Sequence, residues 1–200
     1  MSFLISRRAL ERGLHPLLLA LAHLGVHPHM LTVAGVAGNL VAAVLVARGH
    51  DLAGGILVWG ASTLDMLDGA LARATGRQSA FGSMLDAVMD RAAEAAVLFA
   101  VLFRFSSQGD QEGVLLAFVA AVASFMVSYV RARAELAGVP MREGLMARPE
   151  RVFLLGLGLI IGHVKTVLWV ISVLAALTAA QRFLLAWART IRGGGSRDPS

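Results

Sequence analysis

The stretch DMLDGALARATGRQSAFGSMLDAVMDR, residues 65–91, puts four aspartates into a chain that is otherwise mostly apolar. Of the 200 residues, 57% are hydrophobic and only 16% charged, and the mean hydropathy of +0.71 lies far outside the balance of an ordinary soluble domain. Residues 13–47, 113–130 and 166–181 contain no Lys, Arg, Asp or Glu. Such segments approach the ~20 apolar residues that cross ~30 Å of hydrocarbon. A water-soluble bundle is excluded, because too little polar sequence remains to cover its outside.

Six hydrophobic helices are expected, at roughly 29–47, 52–73, 82–104, 113–136, 151–164 and 166–189. The fold class is therefore an all-α integral-membrane bundle of six transmembrane helices. The chain reads as one domain over 1–200, with the bundle at 29–189 and a cytoplasmic tail at 190–200. Residues 1–25 form an amphipathic interfacial helix, with Arg7, Arg8, Glu11 and Arg12 near one side and Phe3, Leu4 and Leu10 on the other. The N-terminus resembles a signal peptide in placing basic residues before an apolar run, but it lacks a clear cleavage site and is read as retained. Cysteine is absent, which removes disulfides and thiolate chemistry.

Lys and Arg set the orientation. Fourteen lie in the N-terminal segment, the turn after helix two, the loop after helix four and the tail; only Arg48, Arg104 and Lys165 fall on the opposite side. The positive-inside bias then places both termini and the acidic cluster on the cytoplasmic face of a multi-pass cell-membrane protein.

Within the cluster, Asp65 and Asp68 are three apart near the end of one helix, and Asp86 and Asp90 are four apart near the start of the next. Each pair shares a helix face, and the short connection makes the two helices antiparallel neighbours, so the four carboxylates can meet at one depth. Unpartnered, they would repel and suffer desolvation. A cation removes both costs. Carboxylate oxygens are the hard ligands that Mg²⁺ or Mn²⁺ prefers, and four of them can hold one or two such ions when phosphate oxygens complete the shell. The absence of Cys and His from the cluster argues against zinc. Gly69 follows Asp68, Gly82 lies one turn before Asp86, and Arg73 sits one turn beyond Gly69. Together they leave bare backbone and a bidentate phosphate partner beside the ions. The rival readings are interhelical Asp–Arg pairing, which accounts for two carboxylates but not four, and a carboxylate-lined ion or proton carrier.

The spacing Asp65-x2-Asp68-Gly69-x2-Ala72-Arg73-x8-Gly82-x3-Asp86-x3-Asp90 resembles, at every fixed position, the signature of the CDP-alcohol phosphotransferase family. That resemblance implies six transmembrane helices with a short interfacial N-terminal helix, and transfer of a phosphatidyl group from a CDP-linked lipid to an alcohol with release of CMP. It further implies that Asp65, Asp68 and Asp86 ligate two metal ions, that Asp90 is both ligand and general base, and that Gly69, Arg73 and Gly82 contact the cytidine diphosphate. Thr32 and Ser79 are further candidates for the nucleotide-lipid. His29, in the run HPHMLT, stands where many family members have Asn. The simpler reading of that run is that Pro28 separates the interfacial helix from the first spanning one.

The loop from Ser128 to Val152 is strongly basic. Arg133, Arg151 and Arg182 fall at helix ends on the same side as the aspartates, and three converging guanidinium groups suit a phosphorylated acceptor; Arg142 reads as topological charge. The pieces SYVRARAE, RPERV and QRF resemble those of phosphatidylinositol-phosphate synthases, in which basic residues at these positions bind the acceptor's phosphate. The expected function is transfer from CDP-diacylglycerol to inositol phosphate, with phosphatidylglycerophosphate synthesis or another CDP-alcohol transfer as the alternative. Membrane lipids are the expected partners and nucleic acid is not. A homodimer is implied by the resemblance, and Gly35 with Gly38, or Gly156 with Gly158, would permit close helix approach.

Overall fold

A computed structural model describes residues 20, 25–76, 79–141 and 143–193, with α-helices and no strand among them. Six helices follow in order: α1 (Pro28–Ala47), α2 (Asp51–Ala74), α3 (Ala80–Ser107), α4 (Gln111–Leu136), α5 (Arg148–Ile160) and α6 (Val164–Gly193). The expected interfacial helix at 1–25 lies almost wholly outside the described residues, as do Arg142 and the tail beyond 193.

Three helices are long and apolar enough to cross a membrane: α1, α4, and α6 over Val164–Ile191. Of the others, α2 and α3 carry the acidic cluster, and α5 has only 13 residues. Large apolar side chains stand exposed on the outside, among them Phe99, Phe118, Phe125 and Leu177. In water this would be a liability; in a bilayer it is the lipid-facing surface.

Neighbouring helices pack in a closed ring in the order α1, α2, α5, α6, α4, α3. Inside the ring a dry core forms from Val46, Val58, Val97, Val101, Leu116, Leu159, Leu168 and Ile171. Small residues set the close approaches. A Cβ on Gly38 would lie 3.1 Å from that of Ala61, and one on Gly55 would lie 2.7 Å from the carbonyl oxygen of Gly156 and 2.9 Å from the Cβ of Leu159. The glycines at 35, 38, 156 and 158, candidates for a dimer seam, therefore serve contacts within the bundle, against Ala61, Trp59 and Val167.

Two helix boundaries differ from expectation. Helix α5 spans 148–160 rather than 151–164: Pro149 fits its first turn, where no amide donor is needed. It ends in a Schellman turn, with Gly162 at φ 72 and the His163 amide donating to the Gly158 carbonyl at 2.9 Å. Helix α6 runs on to Gly193, so the start of the expected tail at 190 is helical.

The end of the bundle away from the acidic cluster is closed by tight turns and ion pairs. Asp51 pairs with Arg104. Asp110 caps α4 by accepting from the Gly113 amide at 3.0 Å and pairs with Lys165 at 2.5 Å. The hydrogen bond from Lys165, and after it that from Gly113, holds the Asp110 carboxyl below the usual carboxylate range.

Candidate active site

The short connection suggested that α2 and α3 are direct neighbours; instead α1 stands between them in the ring and both pack on it, while their facing ends still bring the carboxylates together. Ligand oxygens of Asp65, Asp68 and Asp86 all lie within 4.8 Å of one another. Asp90 is one turn further along α3 and outside that trio. Its Oδ2 meets Arg148 Nη1 at 2.7 Å, and the same nitrogen also pairs with Asp65.

The trio fits a hard divalent cation. Its donors are all carboxylate oxygens, and Asp86 Oδ1, like Asp90 Oδ1, is buried with no hydrogen-bond partner, a costly state for a polar atom that nothing else satisfies. Asp68 is oriented from α1, where the Thr32 hydroxyl donates to its Oδ2 at 2.5 Å.

Beside the trio opens a cavity of about 470 Å³, lined by His29, Thr32, Asp68, Gly69, Arg73, Ser79, Gly82 and Asp86 among others. Every residue assigned from sequence to the nucleotide-lipid thus faces one space. Local sequence explains its shape. Ser79 caps α3, its Oγ accepting from the Gly82 amide at 2.9 Å. Gly82 leaves the floor open: a Cβ there would meet Ser79 Oγ at 2.9 Å and His29 Cε1 at 3.1 Å. A Cβ on Gly69 would sit 3.4 Å from Nη1 of Arg73, so that guanidinium lies over bare backbone at the cavity wall. His29, read from sequence as incidental to a helix break, is part of this wall.

The three arginines expected from sequence to bind the acceptor have different surroundings. Arg151 is 2% exposed and bonded in bidentate fashion to Glu94, at 2.7 and 2.8 Å, with Nη1 donating to the Met146 carbonyl at 3.1 Å. Arg182 is also buried; it donates to the carbonyls of Glu143 at 2.7 Å and Val127 at 2.8 Å, and the charges acting on it include Arg131 and Arg151. Arg133 is exposed on α4. Sequence reasoning missed Arg148 and Glu94. Arg148 carried a signal only as a basic residue on the cytoplasmic side.

A membrane-embedded helical ring with carboxylates gathered beside a glycine-floored, arginine-walled cavity defines a class: an integral-membrane transferase acting on a phosphate ester. The comparisons give the family. Residues 25–192 match the model of the CDP-alcohol phosphatidyltransferase family, and the chain belongs to it. It is 38% identical to the phosphatidylinositol phosphate synthase of Mycobacteroides abscessus, over 91% of this chain and 87% of that one. It is 36% identical to the archaetidylinositol phosphate synthase of Pyrococcus horikoshii, over 81% and 84%. Among solved structures it matches Mycobacterium tuberculosis phosphatidylinositol phosphate synthase with CDP-DAG bound, at a TM-score of 0.80 and 30% identity, covering 86% of this chain and 92% of that one. The same enzyme in complex with manganese and citrate also matches at 0.80, covering 86% and 88%.

Proposed function

We propose that this enzyme transfers the phosphatidyl group of CDP-diacylglycerol to inositol phosphate and releases CMP. The observation that carries the reading is the single cavity shared by Thr32, Asp68, Gly69, Arg73, Ser79, Gly82 and Asp86, which joins a nucleotide-lipid cradle to an acidic trio. Relatives named for making an inositol-phosphate lipid support it. A carrier of ions or protons has no need of such a cradle.

In the reaction, the acceptor hydroxyl oxygen bonds to the phosphorus that bears the diacylglycerol. The bond from that phosphorus to the CMP oxygen breaks, and the electron pair leaves with CMP. Asp90 takes the hydroxyl proton on Oδ1, the oxygen with no other partner. Asp65, Asp68 and Asp86, with Asp90, would hold two Mg²⁺ or Mn²⁺ ions, which supply charge neutralisation for the diphosphate and the leaving CMP. Arg73 and the bare backbone at Gly69 and Gly82 bind and orient the nucleotide end, Thr32 fixes the Asp68 carboxylate, and Ser79 keeps the first turn of α3 in place. Positioning and charge stabilisation do most of the work in such a displacement. Arg133 and Arg182 contribute positive charge for the acceptor's phosphate, with Arg151 behind them, its fork taken up by Glu94. The protein is placed in the cell membrane as one domain with both termini and the site on the cytoplasmic side, where fourteen of its basic residues gather, and it works as a homodimer.

The test is an acceptor screen: purified protein with CDP-diacylglycerol and Mg²⁺, offered inositol phosphate, glycerol phosphate, inositol or serine, with CMP release followed. Turnover is expected with inositol phosphate and lost on chelation by EDTA. Turnover on unphosphorylated inositol or serine instead, or indifference to EDTA, refutes the assignment.

A further inference from the structure

We propose that Arg148 is a positioning residue of the reaction centre, holding the carboxylate of Asp90 so that Oδ1 faces the acceptor hydroxyl. The inference rests on the reading of Asp90 as general base, and it adds a residue that the aspartate signature does not contain.

The geometry is specific. Nη1 of Arg148 is 2.7 Å from Oδ2 of Asp90 and also pairs with Asp65, so one guanidinium from α5 ties α2 to α3 across the inside of the ring. Because that contact consumes only Oδ2, the carboxylate is turned and Oδ1 is left buried and unpartnered. A base is held in the same way elsewhere in chemistry of this kind: one side of the group is fixed by a charge-assisted bond, and the other is left for the proton.

What keeps Arg148 there is a second bond one turn along. On α3, Glu94 follows Asp90 by four residues; on α5, Arg151 follows Arg148 by three. Each spacing is about one turn, so the two acids and the two arginines make rungs in register, Asp90 with Arg148 and Glu94 with Arg151. The lower rung is bidentate, at 2.7 and 2.8 Å, with Glu94 9% and Arg151 2% exposed. A buried ion pair is weak as a source of stability, since desolvation offsets its attraction and apolar replacements are often neutral or better. Two such rungs between helices that are not neighbours in the ring are therefore read as a register device. They set where α5 stands relative to Asp90 while α5 itself packs on α2 and α6.

The experiment compares wild type, Arg148→Gln and Arg148→Lys by CMP release with both substrates varied, alongside Mn²⁺ binding followed by electron paramagnetic resonance. For Arg148→Gln, kcat should fall about 100-fold, the loss that small misplacement of a reacting group produces, with both KM values within about threefold of wild type and Mn²⁺ still bound. Arg148→Lys should recover part of kcat, because charge is kept and fork geometry lost. Unchanged kcat, a selective rise in the acceptor's KM, or loss of Mn²⁺ binding overturns the proposal. Should Arg148→Gln not fold, Arg148→Lys carries the test alone, and wild-type kcat in that variant overturns it. Failure of the underlying reading looks different: Asp90→Asn would then keep wild-type turnover, whatever the Arg148 variants do.

Discussion

Gly82→Ala puts a Cβ 2.9 Å from Ser79 Oγ and 3.1 Å from His29 Cε1. The serine hydroxyl must swing away, which breaks its bond to the amide of residue 82 and costs about 1 kcal/mol, the usual worth of an N-cap. Alanine is a better helix former than glycine by up to about 1 kcal/mol. The two effects offset, so unfolding should move by about 1 kcal/mol or less, roughly 2–4 °C in Tm for a chain of this size. Donor binding has no such offset. The new methyl and the displaced hydroxyl occupy the cavity floor, and overpacking of this kind costs about 1–3 kcal/mol, which is roughly a 5- to 150-fold rise in KM for CDP-diacylglycerol. The assay is CMP release at saturating acceptor with donor varied, beside thermal unfolding of the same detergent-solubilised sample. A folded variant with wild-type donor KM, or one whose donor and acceptor KM rise together, would refute the placing of the nucleotide-lipid against Gly82.

Asp90→Asn removes the proton acceptor and keeps the shape: CMP release should drop about 100- to 10,000-fold, while CDP-diacylglycerol still raises Tm, and a variant with wild-type turnover would reject the base assignment. Gly55→Ala drives a methyl toward the Gly156 carbonyl, the Ile160 side chain and Leu159. It should cost about 1–3 kcal/mol of stability, read as a lower Tm, and wild-type Tm would show that α2 and α5 are not in close contact there.

Much of the site was legible because its logic is local. Asp65 with Asp68 and Asp86 with Asp90 repeat at helical spacing, Ser79 and Gly82 belong to one helix start, and a short connection joins the two helices, so the residues of the site are close in sequence, although α1 between the helices, on which both pack, was not foreseen. Arg148 and Glu94 were not legible for the opposite reason. Their partners are 83 and 57 residues away in sequence, beyond the reach of any local spacing, and in a membrane protein any cytoplasmic arginine already has an explanation in topology. Arg133 illustrates the same limit: its place near a helix end suggested a convergent guanidinium, yet it stands exposed on α4 while Arg151 and Arg182 are buried. The edges of α5 moved because Pro149 fits the first turn of a helix and so extends its start, while Gly162 at positive φ stops it early.

The two ends of the ring are fastened by different means. Away from the aspartates, three-residue turns join α1 to α2 and α3 to α4, and Asp51–Arg104 and Asp110–Lys165 rivet adjoining segments across solvent-facing corners. At the catalytic end, the 137–147 connection is long and lies against α6 through Arg182 and Arg189. The catalytic end is held from inside by the buried bridges of Arg148 and Arg151, so at one end the clasps face solvent and at the other they share the space in which the carboxylates work.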